Sequence, residues 1–171
     1  RIVVASQNLK ELTNLVKQDE ELKIITQLGN AFGMYREKFI RAAETQVDIG
    51  LDDNTGLNKD LVKVADGLTK LVDKTGSIDM ERSTTRMFQL RNLFVTREDV
   101  KYADNIVKEL NGLRALTERA TMREDAKIDM RKYLDEYRQL IDKQIVLVSL
   151  LNTQKTEVKQ AVKNIEPLFD E

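Results

Sequence analysis

Apolar residues recur along almost the whole chain at spacings of three and four, the signature of amphipathic helices packed through one face. Ala5, Leu9, Leu12 and Val16 give a first helix over about 1–17. The polar run 18–21 breaks that register. A second stripe, Ile25, Leu28, Phe32, Tyr35, Phe39, Ala42, Gln46 and Ile49, gives a helix over about 20–49. Gly29 and Gly33 weaken its middle and would let a neighbouring helix approach. Gly50 stops this helix, and Asp53, Asn54 and Thr55 are able to cap the next. The acidic loop 50–56 lacks the ligand spacing of a calcium-binding hand and reads as a plain helix–helix turn.

Leu57, Leu61, Val64, Leu68, Leu71, Thr75 and Ile78 then hold a clean seven-residue repeat, which predicts one long helix over about 57–96, slackened at Gly76. Past Ile78 the stripe turns ambiguous. The same register continues through Arg82, Thr85, Gln89, Asn92 and Thr96. A competing line through Met80, Met87 and Phe94 carries Arg91. Either the first line faces an interior pocket, or the helix rolls and its arginines stand in water. A buried arginine is expensive unless paired, so the pocket reading implies an anionic partner. Asp99 caps a shorter helix over about 100–117, with Ala103, Ile106, Val107, Leu110 and Leu113 inward. The last helix, about 125–165, keeps Leu134, Tyr137, Ile141, Val148, Leu151, Val158, Val162 and Ile165 in one heptad frame. Gln144 and Lys155 interrupt it, the former as a register-setting polar residue, the latter able to snorkel outward.

The fold class that follows is all-α, a long-helix antiparallel bundle. Part of the chain reads as a duplication. Leu9, Leu12 and Leu15 precede Tyr35-Arg36 much as Leu110, Leu113 and Leu116 precede Tyr137-Arg138, at an offset of 101 to 102 residues. In that reading the partner of the 57–96 helix is an N-terminal helix that this sequence lacks, and the 171 residues form one N-terminally incomplete helical domain.

Composition narrows the chemistry. Charged residues make up 33% but nearly cancel to a net −1, which argues against nucleic acid as a partner. The absence of His and Cys removes the usual zinc, haem and iron–sulfur ligands and the usual nucleophile–base pairs. We therefore expect no cofactor, no metal and no enzymatic activity. What remains is binding. Arg82 and Arg86, four apart, share a helix face, and Arg91 lies beyond them; a guanidinium fork suits carboxylates. Thr85 and Asn92 add neutral hydrogen-bonding groups near the same stripe. Tyr137 is the inward residue best able to offer a hydroxyl, with Tyr35 its counterpart in the other half.

The pattern Tyr35-xxx-Phe39, Gly50-Leu51 with Gly56, RNLFVTREDVKYADNIVKEL over 91–110 and Tyr133-xxx-Tyr137 resembles the helical bimodular sensor domain of bacterial methyl-accepting chemotaxis receptors. The resemblance spans roughly 22–165. It implies two stacked four-helix modules sharing long helices, in a periplasmic or extracellular sensor domain of an inner- or plasma-membrane protein, flanked by transmembrane helices and working as a receptor homodimer. It also implies a small mono- or dicarboxylate as ligand, bound between helices and read out as a helix shift. With Phe94 at the family's anchoring phenylalanine, Phe88 and Gln89 stand where paired arginines are usual, and Arg91 and Asn92 where glutamate and lysine are. The family's ligand residues therefore do not transfer, and Arg82, Arg86, Arg91, Thr85, Asn92 and Tyr137 are candidates on spacing alone. The alternatives are a structural or protein-interaction bundle, and the input domain of a sensor kinase read by a partner protein.

Overall fold

A computed structural model of the chain describes Val4, Gln7, Asn8 and residues 11–13 and 19–169. Among the described residues it is all-α, without strands. From Asp19 onward five α-helices follow one another: α1 (Asp19–Ile49), α2 (Gly56–Thr75), α3 (Ile78–Arg97), α4 (Val100–Arg119) and α5 (Glu124–Ile165), then a 3-10 turn, Glu166–Phe169. The helix expected over 1–17, and with it the first leucine triplet of the duplication, lies largely outside the described residues. The chain forms two compact units, one of Arg1–Thr45 with Leu150–Glu171 and the other of Gln46–Ser149.

The largest departure from the sequence reading is at Gly76. The expected helix over 57–96 is two helices, and the chain reverses between them. Gly76 takes the left-handed conformation (φ 63°) that ends α2, and its N–H returns to Asp73 O at 3.3 Å. Ser77 starts α3 at once, its Oγ accepting from Met80 N. A turn this short makes α2 and α3 antiparallel neighbours, so Asn58 at the start of α2 meets Arg91 near the end of α3. The partner of the first half of this segment is thus its own second half.

Reversal also resolves the two competing stripes. In α3, Met80, Thr84, Met87, Arg91 and Phe94 step by four and three, and Met80, Met87 and Phe94 are completely buried. Arg82, Thr85, Gln89, Asn92 and Thr96 all face outward. The same stepping runs through Ala103, Ile106, Leu110, Leu113 and Thr117 of α4, and through Met130, Leu134, Tyr137, Ile141, Gln144 and Val148 of α5. With Leu61, Val64, Leu68 and Val72 of α2 these close an up-and-down four-helix core. Where α5 crosses α2, the Tyr133 ring fills the space that a Cβ at Gly67 would occupy. Arg131 holds the α4–α5 turn, its Nε and Nη2 each 2.7 Å from the Glu118 carboxylate and Nη1 3.0 Å from Glu124. That fork holds the Glu118 carboxyl below its usual range.

The other unit is looser. Leu151, Ala161 and Ile165 of α5 and Thr45 of α1 are its buried residues among those described. Lys38 pairs with Glu157 at 3.3 Å, and the Phe32 and Phe169 rings meet edge to face at 6.4 Å. The α1 stripe from Ile25 to Ala42 is only half-buried, and Phe39 is exposed, stacked beside Tyr35. A Cβ at Gly29 or Gly33 would meet nothing within 4 Å, so no described neighbour makes the close approach expected there. Beyond Leu151 the buried face of α5 passes through Ala161 rather than Val162, which is exposed.

Candidate functional site

The 46–149 unit is apolar through most of its core and polar at one level. Asn58, on the first turn of α2, is 6% exposed, and Gln144 of α5 is completely buried. Asn58 Oδ1 accepts from Gln144 Nε2 at 3.0 Å and from Arg91 Nη2 at 2.6 Å. Its Nδ2 donates to Gly50 O at 3.3 Å, which also accepts from Gln46 Nε2 at 3.4 Å. Gly50 can present that carbonyl because it adopts φ 111°, where a Cβ would collide with Thr55 O. The loop is held from within: Thr55 Oγ1 accepts from Leu51 N and donates to Asp52 Oδ1, which also takes Asn54 N. Thr55 thus occupies the cap position of α2 but spends its hydroxyl on the loop and makes no side-chain capping bond.

Two polar atoms in this layer remain unmatched: Gln144 Oε1 and Arg91 Nε are buried without a hydrogen-bond partner. The guanidinium is 11% exposed and meets Asp53 Oδ1 only at 3.8 Å, while Asp53 itself is 74% exposed. Beside it a cleft of about 310 Å³ opens along the α2–α3 seam. Asp53 stands at its loop end, Asp66 and Thr69 on the α2 side, Phe88, Arg91 and Asn92 on the α3 side, and Tyr137 of α5 at its back. The Tyr137 ring packs 5.9 Å from Phe88. Burial pushes its phenol well above the usual range, with the Arg91 charge pulling modestly the other way. Tyr137 is therefore a neutral hydroxyl at any physiological pH.

The sequence candidates divide. Arg91 and Tyr137 meet at the cleft, and Asn92 stands exposed on its rim. Arg82, Thr85 and Arg86 do not join them. They share a face, as their spacing required, but it is the solvent face of α3, along an open groove with Ile78, Glu81 and Gln89. Arg82 is 4.0 Å from Asp79, and Arg86 Nε is 3.0 Å from Glu109 Oε1. The reversal at Gly76 is the reason, because it restarts the heptad on Met80. Tyr35 lies half-buried in the other unit. The sequence reading missed Asn58, Asp53 and Asp66. A signal for Asn58 existed: Arg91 and Gln144 are both polar residues at seam positions of different helices, and buried polar groups need partners.

Among the described residues no group of His, Cys, Asp or Glu could hold a metal ion, and no helix is long and apolar enough to cross a membrane. No family model, curated protein or solved structure matches this chain.

Proposed function

We propose that the chain is a helical ligand-binding sensor module whose ligand is a small organic acid seated at Arg91. One observation carries this reading: a guanidinium at a core position of a four-helix bundle, with a buried Nε that has no partner, opening onto a cleft of about 310 Å³. A charge in such a place is costly for folding, and a carboxylate accepting from Nε and an adjacent Nη would complete it. Asp53 would yield, since its contact is long and exposed. Tyr137 supplies a hydroxyl from the opposite helix, so a ligand would bridge α3 to α5. The 42-residue α5 would then carry a small sliding or rotation, of order 1–2 Å, along its axis. The resemblance to chemoreceptor sensor domains supports the rest of the proposal: an extracytoplasmic module between transmembrane helices, acting in a homodimer.

The second reading is a structural or interaction bundle. The observation that favours it is the Asn58–Gln144–Arg91 network, which by itself can set helix register. One substitution separates the two. Arg91→Met keeps the volume, leaves Asn58 its bond from Gln144 and removes the buried charge, so it should melt no lower than the parent and up to about 2 kcal/mol more stable. In thermal-shift and calorimetric titrations with mono- and dicarboxylates and amino acids, the parent should bind and the variant should not. A parent that binds none of these compounds would move the assignment to a protein-interaction bundle.

A further inference from the structure

The Arg91 cleft is not a site for anions alone. Arg91 is the one cation lining it, against Asp53 and Asp66. Thr69 and Phe88 also line a second recess, of about 260 Å³, next along the α2–α3 seam, whose charged residues are Asp73 and Glu81. At its floor Thr84 is 4% exposed and its Oγ1 is buried without a hydrogen-bond partner. Its place on the α3 seam is one that bundles fill with an apolar residue, and the neighbouring seam positions are Met80 and Met87. The two recesses together present one guanidinium at one end and carboxylates along the remainder. A dicarboxylate anchored on Arg91 would direct its second charge at Asp66 or toward Asp73 and Glu81, where it is repelled.

We propose that the ligand is a basic amino acid. The proposal rests on the carboxylate site described above and extends it. The α-carboxylate sits on Arg91, the α-ammonium faces Asp66, and the side-chain cation lies between Asp73 and Glu81 over the Thr84 hydroxyl, its aliphatic stem against Phe88. Thr84 and Arg91 are seven residues apart on α3, two turns or roughly 10 Å, a span matched by an extended lysine together with the reach of the arginine fork.

Calorimetry on the full chain with L-lysine, L-norleucine, succinate and cadaverine tests this. Lysine should bind, and norleucine, which keeps the stem but lacks the terminal charge, more weakly. The exposed pair Asp73→Asn with Glu81→Gln should weaken lysine about tenfold, the scale of a charge-assisted contact, and leave norleucine unchanged. Thr84→Val, a near-isosteric change, should weaken lysine alone, and Arg91→Gln should weaken lysine and norleucine alike. Circular dichroism melts of each variant report folding separately. Succinate binding through Arg91 with no lysine binding would overturn this inference and leave the carboxylate site standing. Cadaverine binding as tightly as lysine would overturn it too, by removing the role of the carboxylate. If none of the four binds, this inference and the carboxylate site fall together.

Discussion

At the scale of single residues the 46–149 unit turns on Asn58. Its carbonyl oxygen is shared by Gln144 and Arg91, and its amide reaches the Gly50 carbonyl, so one short side chain joins α2, α3, α5 and the end of α1. Truncating it strands buried donors on two helices at once. Asn58→Ala should therefore lower stability by about 2–4 kcal/mol in urea unfolding, each stranded group contributing roughly 1–3 kcal/mol. A loss below about 1 kcal/mol would mean that water replaces the amide and that the layer is not a structural lock. Tyr137 makes a second test through pH. Its folded-state pKa is raised, so its contribution is complete below the unfolded value near 10 and is lost as pH climbs toward the folded one. Between pH 10 and 11 stability should fall with a slope reaching about 1.4 kcal/mol per unit from this one group. Tyr137→Phe should flatten that fall and leave the acid side of the profile unchanged.

The two-residue reversal at Gly76-Ser77 is what the elements depend on. A left-handed Gly76 is not crowded, since a Cβ there meets nothing within 4 Å; an alanine would suffer only the backbone conformation. Gly76→Ala should cost about 1 kcal/mol by thermal melt, with Gly76→Asn falling between it and the parent. Equal melts for all three would show that the turn relaxes out of the left-handed region. This turn also separates what was legible in the sequence from what was not. Gly50, Asp99 and the α5 frame through Tyr137 and Val148 could be read directly, because periodicity and caps are local signals. The Gly76 reversal could not, because the heptad from Leu57 to Ile78 runs straight through it: Leu61, Val64 and Leu68 face the core as expected, Leu57 and Leu71 are half-buried, and Ile78, further along the same count, is exposed. A periodic stripe reports which face is apolar but not whether the chain continues or doubles back, and a single Gly-Ser pair is a weak stop signal. That error kept Arg82 and Arg86 among the candidates for an interior pocket. Arg91 and Tyr137 survived it because each sits on a line that is apolar in its own helix.

Across the whole molecule burial is uneven, and α5 samples both conditions within one helix. From Met130 to Val148 its inward residues are 0–9% exposed and meet three other helices of the 46–149 unit. From Lys155 to Val158 they are half-buried, and Val162 is open to water. Helix propensity alone does not protect amides; packing of the apolar face does. Hydrogen exchange along α5 should consequently divide near Leu151, with amides of 130–148 exchanging only through global opening and those of 155–165 through smaller fluctuations, at least tenfold faster, about 1.4 kcal/mol less protected. Ligand at Arg91 would slow both sets if it stabilises the helix as one rod, but only the first if the two units open independently. The distinction matters for the sensor proposal, because a shift of α5 can be transmitted only if its less protected half moves with the buried one. Uniform protection along 124–165 without ligand would remove the division itself, leaving α5 a rigid rod throughout.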